Sequence, residues 1–167
     1  TMKDVPVSDK RNIALLGHTH SGKTTLLDAI WFKLGLNDRL GSVDNGSSVA
    51  DYSDEEKKRK ITLFSKSFSA NYTTAGGKTV SLCFIDTPGY MDFFGQMIAA
   101  VHVADSALIV VDAVGGIQVG THRAWKCCNQ QGIKARGFVI TGIDRENGNY
   151  QRVLESIQAT FGKQCVP

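Results

Sequence analysis

No stretch of this sequence reaches the ~18 apolar residues that a membrane-spanning helix needs, which excludes a helical membrane span. Residues 1–10 are polar and lack the apolar core of a secretory leader, so the expected location is the cytoplasm. The four cysteines (Cys83, Cys127, Cys128, Cys165) have no C-x-x-C spacing. Cys127 and Cys128 are neighbours, which does not favour a bridge between them. The pattern predicts reduced thiols, mostly small buried hydrophobes. A strong charge bias is absent too: 19 Lys and Arg against 16 Asp and Glu leave +3. That permits an RNA-rich partner without arguing for one, and no sequence-specific DNA binding is expected. Internal repeats and low-complexity tracts are missing. What remains is a chain of 167 residues, 42% hydrophobic and 21% charged, which suits one globular domain with a substantial core.

The most informative stretch is Gly17-His18-Thr19-His20-Ser21-Gly22-Lys23-Thr24, followed by Thr25. It fits G-x-x-x-x-G-K-[ST], the phosphate-binding loop. An apolar run, Ile13-Ala-Leu-Leu16, precedes it and reads as a buried strand over 11–17. Leu27, Ile30, Trp31 and Leu34 follow at helical spacing, predicting a helix over 23–34. In that strand–loop–helix context the glycines let backbone N–H groups approach a phosphate, and the helix N-terminus adds partial positive charge. Lys23 would reach the β- and γ-phosphates, and the Thr24 hydroxyl would ligate Mg²⁺.

Beyond this helix lies a polar stretch, Gly35 to Lys60, with little periodicity except a short helix at 53–60. Loops of that length inside a domain are usually functional or disordered. Ile61 to Tyr72 alternates as a strand does, Ala75-Gly76-Gly77 reads as a hairpin turn, and Val80 to Ile85 as the return strand. Phe94, Met97, Ile98 and Val101 mark a helical face. Ala107 to Val111 is wholly apolar, as expected of a parallel strand covered on both faces. Residues 118–131 read as a helix with a weaker stripe, Phe138 to Ile140 as a buried strand, and Tyr150, Val153, Leu154, Ile157 and Phe161 as a final helix. Strands alternating with helices predict an α/β fold: a mostly parallel sheet, helices on both faces, and one antiparallel edge strand from the hairpin.

Ligands bind such sheets at the C-terminal ends of the strands. The strand ending at Ile85 runs into Asp86-Thr87-Pro88-Gly89-Tyr90. An aspartate there can hold a Mg²⁺-bound water, and Gly89 can turn its N–H toward a γ-phosphate. On its own D-x-P-G is as often a plain turn. Behind an apolar strand and downstream of a phosphate loop it is far more specific.

With these motifs in view, the chain resembles the GTP-binding domain of a translational GTPase, most similar to elongation factor G and its paralogues. Gly17-His18, Gly22-Lys-Thr-Thr25, Asp86-Thr-Pro-Gly-Tyr-Met-Asp-Phe93, Val111-Asp-Ala-Val-Gly-Gly-Ile-Gln118 and Asp144-Arg-Glu-Asn147 carry the resemblance, over roughly residues 11–167. It implies a P-loop GTPase fold with guanine nucleotide (GTP or GDP) and Mg²⁺ as ligands and the ribosome as partner. It implies that residues 35–62 are switch I, with Thr62 ligating Mg²⁺, and that 86–92 are switch II, with Asp86 acting through water. Without the resemblance Thr62 reads as a β-branched residue opening a strand. Lys57-Lys-Arg-Lys60 either meets ribosomal RNA or is a solvated basic face.

Three departures accompany the matches. The guanine-reading motif, Asn-Lys-x-Asp in the family, is Thr141-Gly142-Ile143-Asp144 here. Asp144 can still accept two hydrogen bonds from guanine N1 and N2, which adenine cannot offer. Thr141 replaces an amide with a hydroxyl, and Gly142 removes the stem that would cover the base, each at a cost of roughly 1–3 kcal/mol. Tyr90 stands where classical members have the histidine that positions the attacking water. With a pKa of about 10, tyrosine is a poor base near neutrality, but it can orient water by its hydroxyl or simply pack. His20 stands where elongation factor G commonly has aspartate; it contacts phosphate or is an exposed loop histidine, the latter being favoured.

The resemblance also calls for a further strand, a base-contacting loop and a terminal helix, whereas Gly162 to Pro167 alone follow the last predicted helix. The expectation is a lead-in at 1–10 and a truncated GTP-binding domain at 11–167, lacking its last strand and helix. Its expected reaction is hydrolysis of GTP to GDP and phosphate, slow without a partner, with Lys23, Gly89 and Tyr90 at the reacting end. The alternatives are a weakly or non-hydrolysing nucleotide-binding module, and the same domain of a ribosomal-protection or termination-type factor.

Overall fold

A computed structural model describes residues 5–167. Of the lead-in at 1–10, residues 1–4 lie outside the described residues. Val5 is buried, Val7–Asp9 form a single 3₁₀ turn, and the first strand begins at Lys10.

Five strands form one sheet: β1 (Lys10–Gly17), β2 (Lys66–Thr73), β3 (Thr79–Asp86), β4 (Ser106–Asp112) and β5 (Ala135–Thr141), in the order β2-β3-β1-β4-β5. β3, β1, β4 and β5 are mutually parallel, with Ile13 opposite Phe84, Leu15 opposite Leu108 and Ile109 opposite Phe138. β2 is the antiparallel edge strand, as the hairpin predicted, with Phe68 opposite Phe84. Helices α1 (Lys23–Lys33), α2 (Asp54–Arg59), α3 (Phe94–His102), α4 (Val119–Gln130) and α5 (Tyr150–Phe161) complete the chain. Among the described residues no helix is long and apolar enough to cross a membrane.

The period-2 geometry of the strands sorts the core into two halves. Ala14 and Leu16 of β1 and Ala107, Ile109 and Val111 of β4 face α3, α4 and α5, where Met97, Val101, Ala124, Cys128, Val153 and Ile157 are buried. Leu15 of β1 and Phe84 of β3 face α1, where Leu27 and Trp31 are buried. Trp31 meets Phe68 and Phe84 edge-on at 5.7 and 6.0 Å. The central strands are thus covered on both sides, which explains their unbroken apolar runs. Cys127 and Cys128 pack as small apolar groups, and all four cysteines are free thiols.

Local sequence accounts for the helix ends. Ser53 caps α2: its hydroxyl accepts from the Glu56 amide and donates to the Glu56 carboxylate at 2.7 Å. Asp54, Glu55 and Glu56 fill the first turn and Lys57, Lys58 and Arg59 the last, matching the helix dipole. Asn149 caps α5 by accepting from the Arg152 amide at 2.9 Å.

Two expectations need correction. The strand predicted from Ile61 starts only at Lys66. Between them the backbone is held by side chains instead of a ladder: the Leu63 amide donates to Glu56 and the Ser65 amide to Gln96. On α3 Ile98 points outward and Ala100 takes its place in the core.

The polar stretch after α1 is packed at Gly41 and from Ser48 to Asp51, while Leu36 and Asp38 to Leu40 are exposed. Asp28 is fully buried and accepts from the Val49 amide at 2.9 Å. Gly41 lies against that carboxylate, where a Cβ would stand 2.5 Å from the Asp28 carboxyl carbon. Ala50 is buried in the α1-side core.

Candidate functional site

β1, β3, β4 and β5 all end on one side of the sheet, where the loops after β1, β3 and β5, with residues of the segment between α1 and β2, line a cleft of about 460 Å³. The loop after β1 is set by its glycines. Gly17 has φ +145°, and a Cβ there would lie 2.4 Å from the Val110 carbonyl. Gly22, at φ +87°, turns the chain into α1. Lys23 is buried, and its ammonium arches back to donate to the carbonyl of His18 at 2.7 Å. Burial pushes its pKa down to about 8, against the opposing pull of Asp86 and Asp51.

The segment after β3 folds onto this loop. Thr87 donates to the Leu15 carbonyl at 2.6 Å. Gly89 is so close that a Cβ would meet the Lys23 ammonium and the Thr19 Cα, each at 2.6 Å. Only glycine fits between them. Tyr90 is partly exposed, and its hydroxyl lies 3.3 Å from Nε2 of His20, which has φ +56°.

Thr24, Thr62 and Asp86 come together from α1, the segment before β2 and the end of β3. The Thr24 hydroxyl donates to Asp86 at 2.8 Å and lies 3.1 Å from the Thr62 hydroxyl. Asp86 is fully buried, and its second oxygen, Oδ1, has no protein partner. Burial raises its pKa to about 7, although Lys23 and the Thr24 hydroxyl favour the charged form. Two hydroxyls and an under-satisfied carboxylate form a hard-oxygen set that fits Mg²⁺.

Sequence reasoning missed Asp51. It is buried, its Oδ1 has no hydrogen-bond partner and lies 4.0 Å from the Lys66 ammonium, and it lines the same cleft. Burial raises its pKa, partly offset by a hydrogen bond from Thr62. Behind it stands a buried ion pair between Lys66 and Glu56, and the Lys66 ammonium also donates to the Ala50 carbonyl at 2.6 Å. Glu56 is pushed below the usual carboxylate range: burial opposes this, but bonds from Lys66, Ser53 and the Leu63 amide outweigh it. No periodicity in the polar stretch marks these residues; a lone acid in a loop reads as surface.

At the β5 end, the Thr141 hydroxyl donates to the Ser21 carbonyl at 2.7 Å, tying that strand to the phosphate loop. Gly142 has φ +63°, and Ile143 and Asp144 are exposed. Among the other predicted residues, Thr19 lines the cleft and so does Thr25. The His18 ring turns away to pack against Gly120 at the start of α4, and Ser21 is buried with its hydroxyl unpartnered. Lys57 to Lys60 are exposed, with Arg59 paired to Glu55 at 2.6 Å.

The order β2-β3-β1-β4-β5, with the phosphate loop on its central strand, defines a nucleotide-binding α/β protein. Residues 8–166 match the family described as the elongation factor Tu GTP binding domain. A crystal structure of a protein from Thermus thermophilus is similar at a TM-score of 0.81 with 38% identity, over 91% of this chain and 22% of that one. The bacterial selenocysteine-specific elongation factor EF-Sec shares the fold, with a TM-score of 0.71 and 24% identity over 92% of this chain and 23% of that one. The chain therefore spans under a quarter of the length of either. It belongs to the elongation factor Tu GTP-binding domain family, the G domains of translation factors.

Proposed function

We propose that the chain binds guanine nucleotide with Mg²⁺ and hydrolyses GTP to GDP and phosphate, as the G domain of an elongation factor G-like protein acting on the ribosome in the cytoplasm. The observation that carries this reading is the meeting of Thr24, Thr62 and Asp86 beside the buried Lys23. Residues 17–25 cradle the phosphates through backbone amides and the N-terminus of α1. The Lys23 ammonium, released from the His18 carbonyl, reaches the β- and γ-phosphates. Thr24 and Thr62 would hold the metal directly and Asp86 through water; the bound ion would neutralise charge on the transferring phosphoryl group. Thr141 and Asp144 serve the base, with Asp144 selecting guanine.

Residues 35–62 act as switch I and 86–92 as switch II. Both bring a group to the γ-phosphate end: Thr62 from the first, the Gly89 N–H from the second. Tyr90 orients the attacking water by its hydroxyl, without acting as a base. Turnover is therefore slow until a partner completes the site. The exposed basic turn at Lys57–Lys60 supports a ribosomal RNA contact.

A second reading, a binding module that hardly hydrolyses, is favoured by one observation: the Tyr90 hydroxyl is already engaged by His20. Titration with fluorescent GDP and Mg²⁺, competed by GDP and by ADP, tests the binding step. Displacement by GDP alone supports it, and equal displacement by ADP overturns the guanine assignment. GTP turnover abolished by Lys23→Ala supports the enzyme. Binding without turnover, even with ribosomes, supports the module.

A further inference from the structure

Arg145 follows the base motif and has no role in the reading above. It is the residue from the loop after β5 that lines the cleft, whose other wall includes Thr62, Gly89 and Tyr90. β3 and β5 lie on opposite sides of β1 in the sheet, so these walls are the two ends of the cleft. A nucleotide with its phosphates at Lys23 and Gly89 must extend its base toward β5 and Arg145.

The Arg145 side chain takes a defined path. Its guanidinium Nη1 lies 3.3 Å from Asp112 Oδ1, at the end of β4. Asp112 is itself fixed by the Gly115 amide, which donates to Oδ2 at 2.9 Å. Between the two runs the backbone of Gly142. A Cβ on Gly142 would stand 2.7 Å from Asp112 Oδ1 and 3.2 Å from Arg145 Cδ, so the Asp112–Arg145 pair occupies room that any side chain at 142 would claim. The glycine is thus a notch that the arginine fills.

We infer that Arg145, held across Gly142 by Asp112, is the residue that covers the face of the purine base. This rests on the guanine-nucleotide reading above. A guanidinium is planar and stacks on aromatic faces, and it carries donors alone. It supplies affinity for any purine and leaves the choice of guanine to Asp144. The motif at 141–144 is then re-equipped rather than degraded, its platform moved from position 142 to position 145.

The test measures dissociation constants for GDP, ADP and inorganic pyrophosphate on the full chain with Mg²⁺. Arg145 is largely exposed, so its variants fold. Arg145→Ala is expected to weaken GDP about tenfold, the range of a partly desolvated cation–π contact, while pyrophosphate binding stays unchanged. Arg145→Lys keeps the charge without the plane and should not restore the loss. Asp144→Ala should instead collapse the preference for GDP over ADP. Unchanged GDP affinity in Arg145→Ala overturns the inference alone. An equal loss for pyrophosphate overturns it also, making Arg145 a phosphate ligand. A parent chain that holds pyrophosphate but not GDP removes both the inference and the guanine reading beneath it.

Discussion

The Tyr90 hydroxyl lies 3.3 Å from Nε2 of His20, and the two rings meet edge-on with centroids 6.0 Å apart. Two departures from the family pattern therefore touch, and they join the phosphate loop to the segment after β3. A phenol held in this way gains direction. If that direction serves water positioning, Tyr90→Phe and His20→Ala should each slow GTP turnover about fivefold, the effect of one hydrogen bond of about 1 kcal/mol. The double variant should be no slower than either single one, since both remove the same contact. GDP affinity should stay within about twofold in all three. Single-turnover hydrolysis reads this directly; losses that multiply would mean the two side chains act separately.

Thr141 spans 120 positions to bond the Ser21 carbonyl at 2.7 Å. The hydroxyl thus ties β5 to the phosphate loop. Thr141→Val keeps the shape but leaves that carbonyl unpaired, which costs about 1–3 kcal/mol. Lower thermal stability and weaker GDP binding are expected together, with Thr141→Ser retaining both. A melting temperature unchanged in Thr141→Val would show that water replaces the bond.

The sheet and the phosphate loop were legible because their signals are local. Gly17 and Gly22 announce positive φ, and the runs at Ile13–Leu16 and Ala107–Val111 announce strands buried on both faces. Apart from the short helix expected at 53–60 and found at Asp54–Arg59, the region from Asp51 to Ser65 was not legible in the same way. Its order comes from pairings across the chain, Lys66 with Glu56 and Ser65 with Gln96, that follow no period. Alternation over Ile61–Tyr72 therefore overran the true strand start at Lys66. Arg145 escaped for a related reason: what it does depends on the room beside Gly142, which spacing does not report.

The Lys66–Glu56 pair makes a prediction for the segment before β2. Glu56 has no exposed surface, so Lys66→Met leaves a buried carboxylate without its cation. Such a loss costs about 3–5 kcal/mol. The segment is also held by Lys66 through the Ala50 carbonyl, so release should begin there. Limited proteolysis should cut within 50–62 in the variant well before the rest of the chain melts. Cleavage at the same rate as in the parent would mean that Asp28 and the Ser53 cap hold the segment unaided.

Asp86 and Lys23 together predict an unusual dependence of stability on pH. The Asp86 carboxyl, ordinarily at 3.8, titrates near 7 in the fold because it is buried. Between these values the folded chain keeps a proton that the unfolded chain gives up, so stability falls as pH rises through this window. Lys23, ordinarily at 10.5, titrates near 8 for the same reason. Between 8 and 10.5 the folded chain has lost a proton that the unfolded one retains, so there stability rises with pH. Both charges are buried together near pH 7–8, which is where their cost is greatest. Asp86→Asn removes the lower window and can keep the bond to Thr24. At pH 8 it should be more stable than the parent by about 1–2 kcal/mol, discounted from the full shift because Lys23 partly compensates the charge. At pH 4 the two should be equal, the other acids cancelling in the difference. With Mg²⁺ and GDP the order should reverse at pH 8, since the parent alone gains the ligand's binding energy in full. Urea unfolding at the two pH values, with and without ligand, checks each step. A difference that is the same at pH 4 and pH 8 would show that the Asp86 carboxyl titrates as an ordinary exposed acid.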